Sequence, residues 1–217
     1  MTRGRGTVDG PPNGAPLYQR RDALRSRCFI ALVAVAMLWT AGCATTGSVT
    51  TAQNALLAQL MKEDQASRTG DSVARSDEDR IQLVLKEIGS GHVRTPEDQF
   101  NAALVLDHSP MTFRNERLVA VSPHDYLLAH FLAKSAFERG NQNARQLVAQ
   151  TIDRYLSMTA GYQKYGTNRF INQKTGQEEL APIDRNTTDA ERAVYGIQSL
   201  AELLKQYPEA PRTPPPE

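Results

Sequence analysis

Over residues 52–158 and again over 188–207, in runs separated by short breaks, the apolar side chains return every three or four positions, the spacing of one helix face. The first run, 52–67, gathers Leu56, Leu57, Leu60 and Met61. A second starts at Ser76, whose hydroxyl can cap the first turn while Asp77, Glu78 and Asp79 favour its positive end. Ile81, Val84, Leu85 and Ile88 form its buried stripe, and Gly89 and Gly91 end it. Thr95-Pro96-Glu97-Asp98 opens a third helix with a capping hydroxyl, proline at the first helical position and acids. Phe100, Ala103, Leu104 and Leu106 face inward. The same grammar returns 27 residues later as Ser122-Pro123-His124-Asp125 and starts a fourth helix that runs to Arg139. TPEDQFNAA and SPHDYLLAH therefore overlay, as an internal duplication or as two uses of one start signal.

Gly140 stops the fourth helix, and a fifth covers 144–158, burying Leu147, Val148, Ile152, Tyr155 and Leu156. Two antiparallel helices with alanines at their contact and a Gly-Asn turn predict a tetratricopeptide-like pair, too short for a solenoid. The helical period breaks over 162–183, where 169–171 and 179–181 flank Lys174-Thr175-Gly176 and predict a small β-hairpin. A capping box, Thr188 to Glu191, opens a last helix that Gly196 bends and 199–207 completes. The expected fold is all-α: a compact helical domain of about six helices over 54–207, with one hairpin near 169–181. The Pro-rich end, 208–217, predicts a disordered tail.

Upstream the pattern is different. Cys28 to Trp39 is a run of twelve apolar residues, short of the roughly 20 that a bilayer crossing requires. Arg20, Arg21, Arg25 and Arg27 precede it, and Thr40-Ala41-Gly42-Cys43 follows. A basic region, a short apolar core and small residues at a cut site make a secretory signal. Ala41-Gly42-Cys43 resembles the bacterial lipobox, with Thr40 where Leu is usual. That resemblance implies cleavage before Cys43, its diacylation, and a tether over 43–53. Each buried methylene of an acyl chain contributes roughly 0.8 kcal/mol, so two or three chains hold a protein firmly. Ala44, a non-acidic residue after the cysteine, implies sorting to the outer membrane, facing the periplasm. A signal cut without lipidation and a core helix ending at Gly42 are the other readings. Residues 1–19, rich in Gly, Pro and Arg without an apolar period, are expected to be disordered.

The signal changes the charge and the cysteine chemistry. The whole chain carries a formal charge of +1, but residues 1–42 take six of the 25 basic and two of the 24 acidic residues. The mature chain then has 19 against 22, a net charge of −3. That balance offers no basic face for phosphates, so nucleic acid is not an expected partner. Both cysteines, Cys28 and Cys43, belong to the signal. The folded domain therefore has no disulfide and no thiolate metal site, and its stability must come from packing.

The order of pieces also resembles an uncharacterised family of bacterial proteins. Glu63-Asp64-Gln65, Thr95-Pro96-Glu97-Asp98, Ala102-Ala103 followed by His108, Asp153-Arg154-Tyr155-Leu156 and Gln163-Lys164-Tyr165-Gly166-Thr167 carry the resemblance over roughly 60–206. Asn168 stands where that family has Gln, and Asp189-x-Glu191-Arg192 with Gly196 closes the match. The resemblance implies a helical fold and assigns no activity.

Candidate ligand-binding residues are Asp64, Gln65, His108, Asp153, Arg154, Gln163, Tyr165, Gly166 and Thr167. The loop 163–168 draws most attention, because a polar non-helical stretch with Tyr and Gly carries ligand contacts more often than helices do. It could equally cap the domain through Tyr165. Asp107-His108-Ser109 contains triad residue types, but neighbours in sequence do not face one another as a triad requires. His124 should face solvent, and His130 should be a partly buried, hydrogen-bonded core histidine. No His-x-x-x-His or Glu-x-x-His spacing supports a metal, and no cofactor or catalytic residue is expected. Two functions follow. One is a non-catalytic envelope lipoprotein, anchored in the membrane through Cys43, whose helical surface docks a protein or cell-wall partner. The other is an envelope protein that binds or hydrolyses a small molecule, using Asp64, Gln65, His108 and the 163–168 loop.

Overall fold

Local start and stop signals place the helices. The computed structural model describes residues 52–114 and 117–211; the signal segment, Cys43, the tether to Thr51 and the last six residues lie outside the described residues. Asn54 caps α1 (Ala55–Arg68) with its carboxamide oxygen. Capping boxes open α2 (Asp77–Gly89) at Ser76 and α3 (Pro96–Leu106) at Thr95. Asp98 does more than close its box: it also accepts from the N–H of Asn54 at 2.7 Å, tying the start of α1 to the start of α3. α4 (Pro123–Glu138) begins differently, since Ser122 makes no side-chain cap and donates its hydroxyl to Asp125 instead. The two matching start sequences are thus used in two ways. A short 3-10 turn over Gln142–Ala144 leads into α5 (Arg145–Thr159).

The predicted stripes meet in one core. Leu57 and Leu60 of α1, Ile81 and Val84 of α2, and Ala102, Ala103, Val105 and Leu106 of α3 are buried together with Ala129, Ala133, Leu147 and Val148. α4 lies between α3 and α5, and its buried alanines allow the close approach. Leu60 has no exposed surface; Leu60→Ala would open a cavity of the kind that costs about 2–5 kcal/mol.

Three expectations are corrected. First, the described residues hold seven α-helices rather than about six, because the last predicted helix is two: α6 (Asp189–Val194) and α7 (Leu200–Gln206). Gly196 adopts φ +71°, which ends α6 outright instead of bending it, and Ser199 opens α7 with a capping box of its own. Second, an antiparallel pair, β1 (Met111–Arg114) and β2 (Arg117–Ala120), joins α3 to α4. Each strand has four residues, too short for a period-two pattern to show in the sequence. Third, the expected hairpin exists as β3 (Arg169–Ile171) and β4 (Glu178–Leu180), with its second strand one residue earlier than expected. The helical domain with small hairpins is otherwise as expected. The end of the chain is also held longer than its composition suggests. Leu180 donates its N–H to the Pro208 carbonyl and accepts from Ala210, so Pro208–Ala210 lie along β4. Leu180, Ile183 and Leu203 form a second, smaller core beneath them. Among the described residues no helix is long and apolar enough to cross a membrane.

Candidate functional site

Asp153 and Arg154 are adjacent on α5 and face different parts of the domain. The Asp153 carboxylate is fully buried and accepts from the backbone N–H groups of Lys164 (2.7 Å), Tyr165 (2.8 Å), Gly166 (2.9 Å) and Thr167 (2.9 Å). The Thr167 hydroxyl adds a fifth bond at 2.8 Å. Burial pushes the Asp153 carboxyl above its usual range, and these donors pull the other way by favouring the charged form. Gln163, also fully buried, closes the same loop. Its amide donates to the carbonyls of Asn168 and Ala181, both at 2.9 Å, and its oxygen accepts from Asn168 N–H at 2.7 Å. Gly166 has φ +102°, and a Cβ there would lie 2.6 Å from Leu203 Cδ1, so only glycine fits. Tyr165 packs edge-on against Tyr195 at 5.2 Å, and the buried Arg192 donates to its carbonyl. Every polar group of the Gln-x-Tyr-Gly-Thr loop named here is occupied by protein.

Arg154 turns toward the end of α3. Its guanidinium donates through one terminal nitrogen to the Asp107 carbonyl and to the Asp107 carboxylate, the latter at 2.7 Å. Asp107 is the C-cap of α3, so the next residue, His108, is delivered beside this pair. His108 Nδ1 lies 2.6 Å from Asp64 Oδ2. Asp64 sits on α1 with 1 % of its surface exposed, and it also accepts from Arg68 at 3.2 Å and Gln65 at 2.9 Å. Burial acts to raise the Asp64 pKa, but the bonds from His108 and Arg68 outweigh it and hold the carboxyl below its usual value. An ionised carboxylate can only accept, so Nδ1 of His108 carries its proton, and in the neutral ring Nε2 is left as an acceptor. Among the described residues nothing is hydrogen-bonded to that nitrogen.

These groups open on a cleft of ≈ 660 Å³. Its polar lining includes Arg68, Asp77, Asp107, His108, Arg154 and Arg169, and its apolar lining includes Met111, Tyr126, Met158 and Phe170. Burial pushes the Asp107 carboxyl up to about 6, against the opposing charges of Arg154 and His108. Among the described residues its buried Oδ1 has no hydrogen-bond partner, a rare state for a carboxylate oxygen.

The nine predicted ligand residues therefore separate. Asp64, His108, Arg154 and Thr167 meet at or directly behind the cleft. Gln65 is exposed and only steadies Asp64. Asp153, Gln163 and Tyr165 are buried framework, and Gly166 borders a second depression of ≈ 410 Å³ beside α7. Asp107, His108 and Ser109 diverge as the sequence argument requires: Asp107 pairs with Arg154, His108 with Asp64, and Ser109 with Asp125 at 2.9 Å. His124 is exposed, and His130 is half-buried with Nδ1 3.0 Å from the Val148 carbonyl. Burial lowers the His130 pKa. Sequence reasoning missed Arg68, although its place four residues after Asp64 is an ion-pair spacing. It also missed the role of Asp107. Among the described residues no three His, Cys, Asp or Glu side chains converge as a metal site. Comparison with protein-family models, curated proteins and solved structures finds no match.

Proposed function

We propose that this protein is a bacterial envelope lipoprotein, anchored through acylated Cys43 in the outer membrane, whose helical domain binds a small molecule in the His108 cleft. The observation that carries the binding reading is the Asp64–His108 pair. A buried carboxylate fixes one ring nitrogen at 2.6 Å and leaves the other, among the described residues, without a partner beside a cleft. A volume of ≈ 660 Å³ lies within the usual range for small-molecule sites, about 300–1,000 Å³. The lipobox-like Ala41-Gly42-Cys43 and the short apolar run before it support the anchor.

Native mass spectrometry of the protein extracted from envelopes in mild detergent tests both parts. The mature mass should correspond to residues 43–217 plus acyl chains, and Cys43→Ala should lose them. Wild type should retain a small molecule that His108→Ala and Arg154→Gln release. An unmodified Cys43 would refute the anchor; identical unliganded spectra for all three proteins would refute the cleft.

Docking of a protein or cell-wall partner is the second reading. It is favoured by Phe131, which stands 60 % exposed on α4, the helix that would form a tetratricopeptide-like pair with α5.

A further inference from the structure

The charged groups of the cleft are arranged in two layers. The carboxylates of Asp64 and Asp107 lie behind, with side chains 1 % and 3 % exposed. The guanidinium groups of Arg68 and Arg154 lie in front, with side chains 37 % and 35 % exposed. Each guanidinium is fixed through a single terminal nitrogen: Arg68 through Nη2, to Asp64 and Asp77, and Arg154 through Nη1, to Asp107. An arginine has five N–H donors in a rigid fork. Both side chains are thus oriented by buried acids while their remaining donors are without protein partners among the described residues.

The two guanidiniums and the His108 ring are close to one another by construction. Asp64 holds Arg68 and His108 together, and Arg154 holds the residue immediately before His108. Asp77, the one carboxylate on the polar wall with appreciable exposure, is already shared between Arg68 and Arg80. The same cleft also has apolar lining. Met111 at 39 % and Phe170 at 44 % are exposed large apolar side chains, and both stand on the cleft. A ligand with an acidic head and an apolar body would cover them while filling the free guanidinium donors.

We infer that the ligand of this cleft is an organic anion, a carboxylate or phosphate monoester on an apolar body, gripped at its acid group by Arg154 and Arg68. This rests on the proposed binding role of the cleft and names its ligand class. Bidentate guanidinium contacts are charge-assisted and geometrically selective, so a neutral isostere should lose most of the affinity.

Isothermal titration of the mature, detergent-solubilised protein with benzoate, phenyl phosphate, inorganic phosphate and benzamide tests it. Benzoate or phenyl phosphate should bind at least about tenfold more tightly than benzamide. Phenyl phosphate should exceed inorganic phosphate if the apolar wall takes part. Arg154→Gln should weaken the anion about tenfold or more. Arg169→Gln, a change at an exposed cleft residue that leaves Asp107 paired, should weaken it about threefold and stands in if Arg154→Gln fails to fold. Lys86→Gln, the same charge change at the far end of α2, should stay within about twofold. Equal binding of benzamide and benzoate, or losses with Lys86→Gln that match those at Arg169, would overturn the anion assignment while leaving the cleft a binding site. Absence of binding by all four probes, together with no retained small molecule in the native spectra, would overturn the binding role itself.

Discussion

Asp153 and Arg154 follow one another on α5, yet they serve regions built on opposite terms. The Asp153 loop is closed: five donors meet one carboxylate, and no polar group of that carboxylate is left over. The His108 cleft is open. Among the described residues it keeps a ring nitrogen without a partner, guanidinium donors without partners, and a buried Asp107 oxygen with no hydrogen bond. Both regions are polar, and both contain residues that look like ligand contacts in the sequence. What separates them is saturation. A polar network completed by protein holds a fold together, whereas one left incomplete beside a cavity can receive something else.

The comparison is broken most directly at Asp153. Asp153→Ala strands four backbone N–H groups, and a buried donor without an acceptor costs about 1–3 kcal/mol. Urea unfolding should therefore show a loss of at least about 4 kcal/mol, with Asp153→Asn intermediate because only its carbonyl oxygen accepts. A loss below about 1 kcal/mol would mean that the loop does not depend on this carboxylate.

How legible this was depends on the range of the interaction. Ser76, Thr95, Thr188 and their acids three residues on were readable because a capping box is complete within one turn. The stripes of α1 and α2 were readable for the same reason, and that of α5 in part: Leu147 and Val148 are buried, whereas Ile152, Tyr155 and Leu156 are only half-buried. Gly196 announced a break but not its completeness, since that depends on Ser199 starting afresh. The Asp64–His108 bond spans 44 residues and the Arg154–Asp107 bond 47, so each needs the packing of separate helices before it exists. The loop 163–168 was legible only in part for a related reason. Tyr, Gly and Thr between helices suggest a ligand loop, and only the approach of α5 and α7 shows that Asp153 and Leu203 already occupy its space.

On the cleft side, the next largest effect is the pH dependence due to Asp107. Its folded-state pKa is raised from 3.8 to about 6, so between those values the folded protein binds a proton that the unfolded chain releases. The sign follows from linkage. The contribution is fully present below pH 3.8 and is lost as pH rises through about 6, a change of about 3 kcal/mol. Asp107→Asn cannot titrate. The stability difference between wild type and this variant, measured by urea unfolding from pH 4 to pH 8, should shift toward wild type as the pH falls below about 6. The lowered pKa of Asp64 acts with the opposite sign and below the ordinary carboxyl value of 3.8, outside this window. A difference that stays flat would show that Asp107 is not the strained group of the cleft.

The smallest stability effect is expected at His108, and its smallness is the point. His108→Gln removes one hydrogen bond to Asp64, which keeps Arg68 and Gln65 as donors. A bond lost without leaving the acceptor bare costs about 1 kcal/mol. The same substitution removes the ring nitrogen that has no partner among the described residues, so retention of the small molecule in native mass spectra should fall sharply. A residue of the closed region behaves the other way, with stability lost before anything else can be measured. If His108→Gln instead unfolded the domain as readily as Asp153→Ala, the Asp64–His108 pair would belong with the loop as framework, and the cleft would lose the residue on which its binding role rests.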